Sequence, residues 1–226
     1  MHVKIDLKIF LFLAIFIITK QIKIYAILML FALMHELGHL IMGVALGFSL
    51  DSLSIVPVGF TVKFTTEPKS YNIKIKKGNL LTIYKILIAI AGPLVNIIII
   101  LCSIMYYKIT QNVQICNLPI DLIIYANALI FIFNLIPIYP LDGGRILKGI
   151  IHIFAGIYQS YTITNKISNV IIILLTVISS IAILLYKNIA ILLIIAYLWL
   201  LIINENKKFN AKMQMYKTLN CKFDIK

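Results

Sequence analysis

Long apolar runs are the feature of this sequence that most limits its possible folds. The chain has 226 residues, of which 62% are hydrophobic and 13% are charged, too few charges to cover the surface of a soluble domain of this size. Several runs are shorter than the ~20 residues that cross a bilayer unaided, which flanking lysines and local thinning can accommodate. The sequence therefore predicts an all-α polytopic membrane protein in a lipid bilayer, with about six transmembrane helices over residues 7–19, 24–46, 86–106, 122–138, 170–186 and 189–203.

The formal net charge of +13 has two interpretations, nucleic-acid binding and basic loops at a membrane surface. Nucleic-acid binding would need a soluble basic domain with aromatic platforms, and the lysines here lie outside the apolar runs. With a cytoplasmic N-terminus, all but four of the 21 lysines and arginines face the cytoplasm, where basic residues are favoured. We therefore expect no nucleic-acid partner and both termini in the cytoplasm; the four exceptions are Lys20, Lys23, Lys108 and Lys187.

The segment 51–79 departs from the helical pattern. Apolar and other residues alternate over 56–64 and again over 73–76, which is the period of a β-strand. Residues 67–70 contain a proline and polar residues suited to a turn. We expect a small membrane-associated β-hairpin here, and a solvated connector is the alternative.

A His-Glu-x-x-His motif lies at residues 35–39. On a helix, positions i and i+4 share one face, so His35 and His39 can bind the same metal ion. Glu36 lies about 100° further around the helix, where it suits a general base toward a water on that metal. A chance match to so short a pattern is the alternative.

The setting of this motif favours the metal. Of the eight acidic residues, only Glu36 and Asp142 lie within or against an apolar run. Two imidazoles and a carboxylate at that depth cost several kcal/mol unless they have partners. A bound metal is a partner that makes such burial tolerable.

A second motif closes the fourth apolar run, between Asn134 and Arg145. Pro137 and Pro140 interrupt the helix, and two glycines after Asp142 permit a tight backbone path. Asp142 is then available as a third metal ligand, and a plain helix exit is the alternative. Runs two and four both lead toward the cytoplasm, so the two motifs are expected at similar depth.

Together, the HExxH and NxxPxxPLDGG motifs resemble the site-2 protease family of intramembrane metalloproteases. The Ala91–Asn96 stretch is also similar to the family's Gly-xxx-Asn element. The resemblance covers roughly residues 24–148 and implies a transmembrane domain over 1–204, followed by a short basic cytoplasmic tail over 205–226. It implies zinc (Zn2+) as the cofactor, with these roles: His35, His39 and Asp142 as ligands, Glu36 as the catalytic residue, and Asn134 and Asn96 facing the substrate or the oxyanion.

The function implied is an intramembrane zinc metalloendopeptidase in a bacterial cell membrane that cuts near the cytoplasmic face. The chain is similar to a small six-span branch without a PDZ domain, and most similar within it to a protease that processes a pro-sigma-K precursor in sporulation. That branch often carries a CBS domain, for which the tail is too short. Other readings are a protease for another regulatory protein, such as an anti-sigma factor, and a noncatalytic membrane metal-binding or transport protein. Expected partners are a protein substrate with a membrane-associated segment, membrane inhibitor proteins and a second copy of the chain.

Overall fold

A computed structural model describes residues 2–5, 8–18, 20–56, 59–64, 79–115, 117–186 and 189–223. The helices are α1 (Lys8–Ile18), α2 (Ile22–Ala45), α3 (Leu80–Thr110), α4 (Ile120–Leu135), α5 (Asp142–Tyr186) and α6 (Ile189–Phe223). The strands are β1 (His2–Ile5), β2 (Leu50–Val56), β3 (Gly59–Phe64), β4 (Gln114–Ile115) and β5 (Leu118–Pro119). The chain divides into two compact units, Met1–Ile136 and Pro137–Lys226.

The predicted fold class is confirmed, since each of the six expected apolar runs overlaps one of these six helices. Among the described residues, three helical segments are long and apolar enough to cross a bilayer: α2, α3 and Asp142–Leu184 of α5. Helix α4 is apolar but shorter. The predicted fifth run is only the final part of α5, which already begins at Asp142, where a tight turn was expected.

In the first unit, α3 packs against both α2 and α4. Phe31 of α2 joins Ile123, Ala126 and Ile130 of α4 in a buried apolar cluster. Where α2 meets α3, a Cβ atom at Gly38 would lie only 2.8 Å from the carbonyl oxygen of Ala91. The missing side chain therefore permits the close helix approach that small residues allow in membrane proteins.

The β-hairpin is present, but its predicted strands were partly wrong. The run 56–64 is not one strand, because β2 ends at Val56, β3 begins at Gly59, and these two residues pair across the antiparallel ladder. The sequence itself disfavours one continuous strand, because it has a proline at position 57 and proline has no N–H to donate within a strand. The expected second strand at 73–76 and turn at 67–70 lie outside the described residues. Strand β1, which was not predicted, pairs in parallel with β2.

The second unit consists mainly of α5 and α6, which pack on each other. Helix α5 is interrupted at Gly156, whose φ of 81° and ψ of 174° are not helical. Among the described residues of this unit, the largest fully buried side chains are Ile138, Ile172, Leu198 and Ile202. Residues 205–223, expected as a tail, continue α6 as helix.

Candidate metal centre

The His-Glu-x-x-His motif lies within α2 and is buried. His35 and His39 are only 4% and 3% exposed, and Glu36 is 9% exposed. The spacing places both imidazoles on one face of the helix, as expected. Because α2 is an apolar helix, each polar atom in this group requires a partner inside the protein.

The Nδ1 atoms of both histidines bond to groups on α3. Nδ1 of His39 is 2.7 Å from the carbonyl oxygen of Ile88, and Nδ1 of His35 is 2.6 Å from Oδ1 of Asn96. A carbonyl oxygen can only accept, so Nδ1 of His39 must carry the proton and donate it. A neutral His39 therefore presents Nε2 as a lone-pair donor, the form that binds metal.

A chain of amides fixes the same tautomer at His35. Asn127 on α4 donates from Nδ2 to the carbonyl oxygen of Ile123, at 2.8 Å. Its Oδ1 then accepts from Nδ2 of Asn96, at 2.9 Å, which leaves Oδ1 of Asn96 facing His35. The last acceptor in this series of hydrogen bonds is a main-chain carbonyl, which can only accept. This fixes which group donates in each earlier bond, so His35 donates from Nδ1.

Asn127 is a residue that the sequence reasoning missed. It is 0% exposed, as is Asn96, although α4 is strongly apolar. An amide inside an apolar span is a signal in itself, because it needs a buried partner. The sequence could have marked Asn127 on that ground, but it does not say which helix supplies the partner.

The Nε2 atoms of His35 and His39 face each other at 3.2 Å. With both Nδ1 protons donated to other acceptors, two neutral rings would direct their Nε2 lone pairs into one region. Two such lone pairs repel unless a cation lies between them, and imidazole nitrogen is a favoured zinc ligand. The residues of the first unit therefore fit a metal ion at this point.

Gly92 of α3 makes room for this arrangement. A Cβ atom there would lie 2.4 Å from Nε2 of His39 and 2.6 Å from Nε2 of His35. Any side chain at this position would occupy the space beside the two metal-facing nitrogens. The Ala91–Asn96 stretch noted in the sequence thus contributes both a gap, at Gly92, and a hydrogen-bond acceptor, at Asn96.

The other predicted site residues are placed as follows. Asp142 lies in the second unit as the first residue of α5; it is 4% exposed, and Nη1 of Arg145 lies 3.6 Å from its Oδ1. Asn134 lies in the last turn of α4 and donates to the carbonyl oxygen of Ile130, at 3.0 Å. The amide of Asn96 is engaged by His35 and Asn127. A role for either asparagine at the substrate or the oxyanion stays a prediction.

With this geometry in place, the chain can be compared with known proteins. Residues 103–178, which include Asn134 and Asp142, match the sequence model of Peptidase family M50. The resemblance predicted from the sequence motifs is therefore confirmed.

Two relatives are similar to this chain in sequence. The chain is 29% identical over 150 residues to Zinc metalloprotease MJ0392 of Methanocaldococcus jannaschii, which is 64% of this chain and 39% of that protein. It is 29% identical over 131 residues to Stage IV sporulation protein FB of Bacillus subtilis, which is 58% of this chain and 41% of that protein. The chain thus spans about two fifths of the length of these relatives.

A solved structure shares the fold. The Site-2 Protease from Methanocaldococcus jannaschii matches with a TM-score of 0.65 at 24% sequence identity. The match covers 90% of this chain and 89% of the solved chain. At this identity the similarity concerns the fold, which is the polytopic helical fold expected from the apolar runs.

Replacing Gly92 by alanine should weaken zinc binding while leaving the fold intact, because the new methyl group would occupy the space beside both Nε2 atoms. We expect zinc affinity to fall roughly tenfold or more, by analogy with substitutions around zinc ligands. The measurement is zinc content and chelator competition on protein purified in detergent. Leu94→Ala, an exposed position on the same helix, is the control. Wild-type zinc affinity in Gly92→Ala would contradict this account of the site.

Replacing Asn127 by leucine should weaken zinc binding through Asn96 and His35, without touching either histidine. Loss of the amide chain frees the His35 ring to adopt the other tautomer, so we expect roughly a tenfold loss of zinc affinity. The ring 15N chemical shifts of His35 should show a mixture of tautomers in the metal-free variant. Asn169→Leu, which removes an amide pair with Asn206 in the second unit, is the matched control. An unchanged His35 tautomer in Asn127→Leu would refute the relay.

Proposed function

We propose that this chain is a zinc metalloendopeptidase of the site-2 protease type that acts on a protein with a membrane-associated segment. The observation that carries the proposal is the pair of buried imidazoles whose Nε2 atoms converge while their Nδ1 atoms are held by α3. Glu36 is next to them in the same motif. Such a set supplies two metal ligands and a base in one helix turn.

In this proposal His35, His39 and Asp142 would hold zinc, which leaves one coordination position open, as in catalytic zinc sites. When bound, zinc supplies a Lewis acid for the scissile carbonyl and for water. The match to family M50 covers Asp142, which supports its assignment as the third ligand. Asn96 and Asn134 remain candidates for contact with the substrate or the oxyanion.

Glu36 carries the proton transfers in this mechanism. Its carboxylate would accept a proton from the attacking water and then deliver it to the leaving amine nitrogen. Partial burial among apolar helices keeps bulk water away from the carboxylate, so the proton stays with the reacting groups. Asn127 would act as a positioning residue, because it holds the Asn96 amide, which in turn holds the His35 ring.

We further propose that the protein is a multi-pass protein of a bacterial cell membrane with both termini in the cytoplasm. The distribution of lysines and arginines supports this orientation, as do the apolar helices. His39 lies six residues before the end of α2 at Ala45, about 9 Å along the helix axis. In this orientation that end faces the cytoplasm, so the cut would fall close to the cytoplasmic face.

The substrate proposed for the first test is a pro-sigma-K precursor. Its support is the similarity to Stage IV sporulation protein FB at 29% identity, together with the motifs of the sequence. Other regulatory proteins with a membrane-associated segment, such as anti-sigma factors, belong to the same class. Membrane inhibitor proteins and self-association are further proposals for this protein.

Glu36→Gln should keep the fold and the zinc but abolish cleavage, since the amide cannot accept the proton from water. We expect a loss of at least about a hundredfold in rate, the lower range for removing a general base. The measurement is shortening of a co-expressed pro-sigma-K precursor, or of an anti-sigma factor, in a host that lacks both proteins. Asp51→Asn, the same chemical change at an exposed position in β2, should cleave normally.

Each outcome of that experiment is informative. Cleavage by the wild type and by Asp51→Asn, but not by Glu36→Gln, would establish the enzyme class and the base together. Full activity of Glu36→Gln would refute the assigned role. A zinc-loaded wild type that cuts neither substrate but moves metal across a membrane would favour the noncatalytic alternative.

A further inference from the structure

A basic pocket lies between α5 and α6 in the second unit, with residues of the preceding loop on one side. It contains two ring hydroxyls, three ammonium groups and a threonine hydroxyl. We call it the lysine–tyrosine pocket and define it by Tyr139, Lys148, Tyr161, Thr164, Lys208 and Lys212. None of these residues has a role in the proposed proteolysis.

Two ammonium groups in this pocket share one aromatic ring. Nζ of Lys148 lies 3.5 Å from the ring centroid of Tyr161, and Nζ of Lys212 lies 4.6 Å from it. Lys212 also donates to the hydroxyl of Tyr161, at 2.8 Å. Ring faces attract each cation separately, but the two like charges repel each other in a partly buried setting.

Carboxylates in the pocket do not balance this charge. Glu205 lines it and forms an ion pair with Lys208. In the described parts of the chain, neither Lys148 nor Lys212 is in an ion pair with a carboxylate. The hydrogen bond with Tyr161 raises the pKa of Lys212, so this ammonium stays charged at neutral pH. Counted by formal charge, the three lysines and one glutamate that line the pocket leave an excess of two positive charges.

A buried hydroxyl in the same pocket lacks a hydrogen-bond partner among the described residues. Thr164 is 2% exposed, and its Oγ1 atom makes no hydrogen bond with them. Buried side-chain hydroxyls are nearly always satisfied, so an unsatisfied one on a residue that lines the same pocket as two lysines favours a ligand with oxygen acceptors. An anion with several oxygens would meet the charge and the hydroxyl together.

The position of the pocket along the helices indicates the kind of anion. The apolar runs 170–186 and 189–203 flank the connection between α5 and α6, and the pocket lies at the opposite end of both runs. These runs of 17 and 15 residues measure roughly 25 and 22 Å as helix, which is most of the ~30 Å thickness of a bilayer core. Helix α6 changes from apolar to charged at Glu205, so the pocket lies at the level of lipid headgroups.

We propose that the lysine–tyrosine pocket binds the headgroup phosphate of an anionic phospholipid. Lys148 and Lys212 would pair with the phosphate oxygens, and Thr164 would donate its hydroxyl proton to one of them. Basic pockets between helices at the cytoplasmic side of membrane proteins bind such headgroups. This inference concerns the second unit and does not depend on the proteolytic activity.

The test uses the full chain purified in detergent. Native mass spectrometry and thermal unfolding would compare phosphatidylglycerol, phosphatidylcholine and inorganic phosphate as added ligands. We expect phosphatidylglycerol to bind and to raise the unfolding temperature, and the other two to have little effect. Each of three variants should weaken phosphatidylglycerol binding roughly fivefold, the equivalent of about 1 kcal/mol per lost contact: Lys148→Gln, Lys212→Gln and Thr164→Val.

Lys207→Gln is the matched control, because Lys207 is exposed on α6 next to the pocket but does not line it. It loses the same charge and should bind phosphatidylglycerol as the wild type does. If Lys207→Gln loses as much affinity as the pocket variants, the binding is general surface attraction and the proposal fails. Equal binding of phosphatidylcholine, or displacement of the lipid by inorganic phosphate at similar concentration, would also overturn it. Should Lys148→Gln fail to fold, Thr164→Val, which keeps every charge, still decides the question.

Discussion

The burial of two imidazoles in an apolar pair of helices is the constraint on which the first unit depends. Each ring must place its Nδ1 proton on an acceptor, and α3 supplies both acceptors, the carbonyl of Ile88 and the amide of Asn96. Once these bonds are made, the orientation of both rings is fixed and their Nε2 atoms face each other. The close contact of α2 with α3 at Gly38 and the space left by Gly92 beside the Nε2 atoms therefore serve the metal site as well as the helix packing.

The polar groups within the apolar helices form two separate systems with different chemistry. In the first unit, amide and carbonyl groups, which carry no net charge, orient the two imidazoles. In the second unit, ammonium groups gather around tyrosine rings at the end of the apolar runs. Neutral donors suit a site deep within α2, whereas charged groups suit a position close to water and lipid headgroups.

Local patterns in the sequence predicted much of this structure. The i, i+4 spacing of His35 and His39 fixes a shared helix face whatever the rest of the fold does. The apolar runs predicted the helices, since a run of that length has few alternatives in a membrane protein. The family resemblance was based on motifs whose residue spacing can be seen in the sequence itself. It is confirmed for residues 103–178.

Features that depend on distant pairing were harder to predict. Strand β1 pairs with β2 across about fifty residues of chain, and nothing local in residues 2–5 marks that partner. The hairpin was placed too late because alternation alone did not weigh Pro57 against a continuous strand. Asn127 was missed for a similar reason, because its importance comes from Asn96 on another helix.

Both hydrogen-bond chains behind the histidines end on main-chain oxygens, those of Ile88 and Ile123. A main-chain carbonyl is present whichever amino acid occupies the position, so no side-chain exchange can delete these terminal acceptors. Positions 88 and 123 can therefore be occupied by other apolar residues that suit a helix, and the hydrogen bonds that hold the rings are kept. The identity of the side chains at these positions therefore gives no sign of the two carbonyl groups that fix the proton positions on both histidines.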